Sequence, residues 1–265
     1  MAPLNEAMDA KLQQAVDDAA RCADISGWSR NDTGFLQRVF KSGLAPYRSR
    51  IADLNLRGFE SVLDAGCGFG QWSLALSEYN DHVTAVDASV GRIKFLEAVA
   101  RQEAPNLRAV VGSIQQLAFA DDSFDCIFCY SVIYLTDVSK TLKELVRVLR
   151  TGGVLYLVTN GPGWYLKSLI EPRHSTDGYD PVEIAQRAIR RAVDASFGVP
   201  SPDGGHQMLT QAAIEVLLTR SGLDIEHLGS EGSLTMRAAQ ATWNPYPNEF
   251  HGLEFVNEAY ARKVT

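Results

Sequence analysis

Apolar residues recur along this chain in two alternating rhythms: short solid runs, and longer stretches spaced i, i+3, i+4. A polar helix is predicted over residues 5–22, then a loop through Gly27 and Asn31 and a second helix over 34–54. From residue 60 the rhythm changes. Strands are predicted at 60–64, 82–87, 107–111, 124–129 and 154–159, with helices at 71–79, 89–101 and 137–149 between them. The last of these helices carries Leu142, Leu145, Val146 and Leu149 on one face. Strands alternating with helices at these lengths imply βαβ units and a parallel sheet. A helix at 207–221, a strand at 223–228 and an apolar run at 254–263 supply the last two strands. The expected fold is therefore Rossmann-like α/β, with a seven-stranded, mostly parallel sheet flanked by helices.

The alternation fails between Asn160 and His206, where Gly161, Pro162, Gly163, Pro172, Pro200 and Pro202 interrupt the pattern around one predicted helix at 181–196. That gap is too long for a plain connection, and caps over active sites are one common cause. The organisation read from this is an N-terminal helical extension or lid over 1–57 and a main domain over 58–265. Within the main domain, 161–206 forms a cap insertion after strand five.

The chemistry concentrates at Val62-Leu63-Asp64-Ala65-Gly66-Cys67-Gly68-Phe69-Gly70. Three glycines at alternate positions follow a strand directly, and glycine lets a ligand approach the backbone where a β-carbon would block it. In sheets of this kind ligands bind beyond the carboxyl ends of the strands. Asp87 ends the next strand, where a carboxylate can accept hydrogen bonds from ribose hydroxyls. The spacing is G-x-G-x-G, whereas dinucleotide enzymes favour G-x-G-x-x-G. An acid at position 64 would repel a pyrophosphate and favour a cationic group, so an NAD enzyme is disfavoured against a ligand with a positive amino-acid end.

These residues resemble motif I of the class I S-adenosylmethionine (AdoMet)-dependent methyltransferases, in the small-molecule and quinone methyltransferase branch. The resemblance runs over roughly residues 58–160. Phe119-Ala120-Asp121-Asp122-Ser123-Phe124-Asp125 is similar to the family's entry into strand four, and Leu149-Arg150-Thr151-Gly152-Gly153 to its turn before strand five, with Thr151 where proline is usual. Ser113 stands where the family usually has an aspartate near adenine. The resemblance implies AdoMet as cofactor, S-adenosylhomocysteine as product, and methyl transfer to an O or N atom of a small metabolite. It places cofactor contacts at Asp64, Ala65, Gly66, Gly68, Gly70, Trp72, Asp87, Ala88, Ser113, Ile114, Cys129 and Tyr130. Tyr130 and Tyr134, at the end of strand four, are candidate reaction-centre residues and read equally as core aromatics. A protein that binds AdoMet or its product without transferring a methyl group, or that performs other chemistry on AdoMet, would carry the same cofactor motif.

Composition narrows the partners. The formal net charge is −7, with 25 Lys and Arg against 32 Asp and Glu, which repels phosphate backbones and argues against a nucleic-acid substrate. No stretch is apolar enough to span a membrane and the N-terminus lacks a secretory pattern, so a cytoplasmic monomer or homodimer is expected. Cys126 and Cys129 form one C-x-x-C, but residues three apart in a strand face opposite ways, so no metal is expected there. The aromatics Trp28, Trp164, Tyr165, Phe197, Trp243 and Tyr246 suggest an acceptor that is partly apolar or ring-containing. Of the five histidines, His206 opens a predicted helix beside the cap and is the preferred candidate for a general base.

Overall fold

The computed structural model describes residues 2–22, 28, 30–172, 175, 179–198, 206–235 and 245–264. Trp243 lies outside these residues, as do Gly27, Pro200 and Pro202. Three helices come first: α1 (Ala2–Cys22), α2 (Arg30–Phe40) and α3 (Ala45–Asp53). The single helix predicted over 34–54 is in fact two. Gly43 takes a positive φ of 60° and Pro46 sits in the first turn of α3, where its missing N–H costs nothing.

The alternating region follows as β1 (Ser61–Ala65), α4 (Gln71–Ser77), β2 (His82–Asp87), α5 (Val90–Glu103), β3 (Leu107–Val111), β4 (Phe124–Tyr130), α6 (Val138–Val148) and β5 (Leu149–Asn160). Ser89 caps α5 through Arg92 N and Asp137 caps α6 through Lys140 N, which sets both helix starts. Next come α7 (Pro162–Ile170), α8 (Pro181–Ser196), α9 (Gln211–Arg220), β6 (Leu223–Ser230), a two-stranded ribbon of β7 (Glu249–Phe250) and β8 (Leu253–Glu254), and β9 (Val256–Lys263). Helix α7 falls where glycine and proline read as breakers. Pro162 begins it, and Gly161 and Gly163 lie so close to the main chain of Leu253 and Glu254 that a β-carbon on either would come within 2.5 Å. Helix α9 starts at 211 rather than 207 because Thr210 is its cap and Gln207 is held by the main chain of Tyr134 and Thr136.

The seven-stranded sheet runs β3-β2-β1-β4-β5-β9-β6, with every pair parallel except those made by β9. Each face carries its own core. Val62, Cys126, Phe128, Tyr156 and Val158 face α1 to α5, whereas Leu63, Ile127, Cys129, Leu155 and Leu157 face α6 and α9. Cys126 and Cys129 thus lie on opposite sides of the sheet, and both are free, buried thiols. Helix α3 is built into the first core: Ile51, Leu54, Leu56 and Arg50 are essentially inaccessible. The Arg50 guanidinium pairs with the fully buried Glu258 of β9 and donates to Leu234 O at 2.7 Å. Tyr156 OH donates to the same Glu258 oxygen at 2.7 Å, and Leu234 N to the other at 2.7 Å. Among the described residues no helix is long and apolar enough to cross a membrane.

Candidate cofactor and acceptor site

Because β1, β2, β4, β5 and β6 run the same way, their carboxyl ends share one edge of the sheet. Register places Asp64 beside Phe128, Tyr130 beside Val158, and Asn160 beside Val256. The segment from Gly66 to Gly70 leaves β1 at this edge and enters α4 with Gly66, Gly68 and Gly70 at φ of 84°, 58° and 83°. A side chain at any of the three would be strained. At Gly66 a β-carbon would also come within 2.6 Å of the Val132 methyls, and at Gly70 within 2.2 Å of Leu96 Cδ1.

The main-chain donors of Gly66, Cys67, Gly68 and Gly70 are used internally. Gly66 N and Cys67 N both donate to Val86 O, at 2.8 and 3.0 Å, and Gly70 N donates to Cys67 O at 2.9 Å. Gly68 N donates to Asp87 Oδ2 at 3.0 Å, and Ser89 N to Asp87 Oδ1 at 2.8 Å. A pyrophosphate cradle needs such N–H groups pointing outward. This turn instead offers close backbone approach flanked by two acids. Asp64 is buried, and Ser73 Oγ donates to its Oδ2 at 2.5 Å. Burial, aided by the neighbouring Asp87 charge and opposed by the Ser73 hydrogen bond, pushes the Asp64 carboxyl up to about 7. An acid in that state gains from any cation placed beside it. The residues therefore fit a ligand with a ribose at Asp87 and a cationic amino-acid end near Asp64.

The remaining cofactor candidates divide. Ala65 closes β1 in the second core, and Ile114 packs there beside Val86 and Leu117. Ala88 and Ser113 are exposed at the edge, and Ser113 Oγ accepts from Gln115 N at 3.2 Å, bracing its own turn. Trp72 is a core aromatic, 4.7 Å from the Tyr47 ring and 4.9 Å from the Tyr130 ring. The Cys129 side chain points into the second core, and desolvation holds its thiol well above the usual range. The turn is roofed by the N-terminal helices: Phe35 of α2 lies over Gly68, Asp32 pairs with Arg92 of α5 at 2.6 Å, and Trp28 packs edge-on against Phe69. A cavity of about 460 Å³ between α1 and α2, lined by residues such as Gln13, Leu36 and Phe40, has no wall from the glycine turn or the strand ends.

Farther along the edge, Tyr130 OH donates to Glu231 Oε1 at 2.6 Å, and Glu231 is itself held by a main-chain bond to Val256 O. Tyr134 lies in a single 310 turn, Ile133–Leu135, with its ring 5.1 Å from that of His206. Trp164 lies almost parallel to the His206 ring at 6.4 Å, and Tyr165 edge-on at 6.1 Å. His206 Nδ1 is buried with no hydrogen-bond partner, and burial lowers the imidazole to about 4. It is neutral at pH 7, able to accept a proton but weakly basic. Phe197 is 79% exposed at the end of α8 and walls nothing among the described residues. Glu231, Ser73 and the Arg50–Glu258 pair did not emerge from the sequence. Glu231 follows directly on β6, past the end of the strand predicted over 223–228, and its place beyond a strand end could have flagged it.

A family model described as a methyltransferase domain matches residues 62–153, from β1 to the glycines in β5. Malonyl-[acyl-carrier protein] O-methyltransferase of Serratia marcescens is 30% identical over 194 residues, covering 69% of this chain and 71% of that protein. The uncharacterized methyltransferase YcgJ of Bacillus subtilis is 36% identical over 110 residues, 41% of this chain; the match spans 44% of YcgJ, less than half its length. An S-adenosylmethionine-dependent methyltransferase from Mesorhizobium loti has the same fold, with a TM-score of 0.55 at 19% identity over 84% of this chain and 99% of that one.

Proposed function

The chain belongs to the class I AdoMet-dependent methyltransferases, and on that premise we propose that it methylates an oxygen or nitrogen of a small metabolite bound over the ends of β4, β5 and β6. One observation carries the cofactor half of this reading. The turn after β1 commits the N–H groups of Gly66, Cys67, Gly68 and Gly70 to protein oxygens and runs between a buried acid, Asp64, and a strand-end acid, Asp87. Asp87 would take the ribose hydroxyls, and Asp64 would offset the positive amino-acid end. Gly66 and Gly68 would let the ligand lie against the main chain.

When bound, AdoMet supplies a methyl group already activated by its sulfonium, so the protein's tasks are alignment and exclusion of water. Holding two reactants in line contributes of the order of ~7–11 kcal/mol. Tyr130, Tyr134, Asn160 and His206 stand at the strand ends on the acceptor side. A neutral His206 with its Nδ1 buried can accept one hydrogen bond from an acceptor and so orient it.

The reading is tested by calorimetric titration with AdoMet and S-adenosylhomocysteine, with NAD as control, followed by transfer of labelled methyl to a panel of metabolites. Micromolar binding of the two adenosyl ligands, lost in Asp87→Ala, is expected. Absence of binding would refute the cofactor assignment. Tight binding without transfer to any acceptor would favour a sensor of AdoMet over an enzyme.

A further inference from the structure

A ligand lying against the main chain at Gly68 needs access to it, yet Asp64, Gly68, Phe69 and Gly70 are all buried. Helix α2 is part of their cover. Its Phe35 ring sits so close to Gly68 that a β-carbon there would lie 3.4 Å from Cε1. Arg92 of α5 donates to Asp32 Oδ1 through Nε at 3.1 Å and Nη2 at 2.6 Å. The same guanidinium stands 5.7 Å from the centre of the Phe35 ring and 5.5 Å from that of Phe69. Just ahead of α2, Trp28 packs edge-on against Phe69 and over Gly91 of α5, where a β-carbon would come within 2.6 Å of the indole nitrogen. Glycine weakens a helix, and here it makes room for the indole.

The cover is pinned on one face and has space on another. Tyr47 OH donates to Val39 O at 2.7 Å, tying the C-terminal end of α2 to α3, and Gly43 at φ 60° follows as a pivot. Helix α3 itself is fixed in the core by Arg50 and Ile51. Thr33, Leu36, Gln37 and Phe40 turn another face of α2 onto the cavity of about 460 Å³ against α1, so the helix has room to withdraw. The Trp28 N–H is buried without a hydrogen-bond partner among the described residues, and wetting it on release offsets part of what the contact contributes. Resting on the methyltransferase reading above, we propose that α2 is a gate for the cofactor. Asp32 and Arg92 latch it, Trp28 seats it, and AdoMet enters and S-adenosylhomocysteine leaves only when Phe35 lifts from Gly68.

Rates test this where affinity alone would not. Uptake and release of radiolabelled S-adenosylhomocysteine by the full chain are followed by rapid filtration. Asp32→Asn weakens the latch whether or not ligand is present. Both rate constants should therefore rise together by about two- to fivefold, the worth of a partly exposed ion pair, with Kd held within about twofold. Gly91→Ala forces the indole from its seat while leaving Asp32 and Phe35 in place, and should likewise speed both steps. Unchanged rates in either variant, or faster release without faster uptake, overturn the proposal, because α2 would then be a fixed wall of the site. Failure of S-adenosylhomocysteine to bind the parent chain overturns instead the methyltransferase reading on which the proposal stands.

Discussion

Replacing Asp64 by asparagine should make the protein more stable at neutral pH and less able to hold its cofactor. In the folded chain the Asp64 carboxyl ionises near 7, against 3.8 for the free group, because burial disfavours its charge more than Ser73 compensates. Between those two values the folded state holds more protons than the unfolded state, so stability falls as pH rises. Each unit of displacement is worth about 1.4 kcal/mol, so the full interval of about three units bounds the loss at ~4 kcal/mol. The amide introduced by Asp64→Asn carries no charge to desolvate and can still accept the Ser73 hydrogen bond. Urea denaturation should therefore show the variant more stable by ~2–4 kcal/mol at pH 8 and nearly level with the parent at pH 4. In a thermal scan each kcal/mol corresponds to about 2–4 °C for a chain of this size. Calorimetry at pH 8 should show weakened binding of S-adenosylhomocysteine by the same variant. A variant no more stable at pH 8, or one whose advantage is the same at both pH values, would refute the reasoning.

Three further outcomes are expected. Gly70→Ala must place a β-carbon at φ 83° and within 2.2 Å of Leu96 Cδ1, and should cost ~2–4 kcal/mol in urea denaturation, with part recovered in the double variant Gly70→Ala/Leu96→Ala. Arg50→Met leaves the Glu258 carboxylate and Leu234 carbonyl buried without their cation and should cost ~3–5 kcal/mol; adding Glu258→Gln should recover part of that loss. His206 ionises near 4 when folded and near 6.5 when unfolded, so the unfolded state binds more protons between those values and stability falls on acidification through them. His206→Phe should reduce the difference between urea midpoints at pH 4.5 and pH 7; an unchanged difference would show that His206 is not desolvated.

The parallel strands were legible because each is a short apolar run bounded by turn residues, and β2 and β3 fall on their predicted residues. The edges of prediction failed for local physical reasons. Proline and glycine at 161–163 read as breakers, yet proline is at home in a first helical turn and these glycines serve the close approach of the β7–β8 ribbon. Asp64, the glycines and Asp87 could be read because their spacing along one βαβ unit fixes their placement in space. Glu231, by contrast, meets Tyr130 across 101 residues, and Arg50 meets Glu258 across 208, so only the completed sheet brings them together. Trp72 and Cys129 show the converse. Trp72 follows the motif by two residues and Cys129 lies in β4, which pairs with β1, but helix phase and strand alternation turn them into the core.

Strand β9 follows β6 in the chain yet lies inside it, between β5 and β6. On a ribosome, residues 61–160 can pair as five neighbouring parallel strands as they emerge, so the glycine turn and Asp87 can take shape early. Strand β6 has no neighbour to join until residues 256–263 have followed it out, and Glu258 then arrives to meet an Arg50 made 208 residues earlier. The half of the edge proposed to hold the cofactor is thus the nascent chain's first achievement, and the half proposed to hold the acceptor its last. During that interval the open side of β5 is an unpaired strand of apolar residues, the segment through which a stalled or truncated chain would associate with others of its kind.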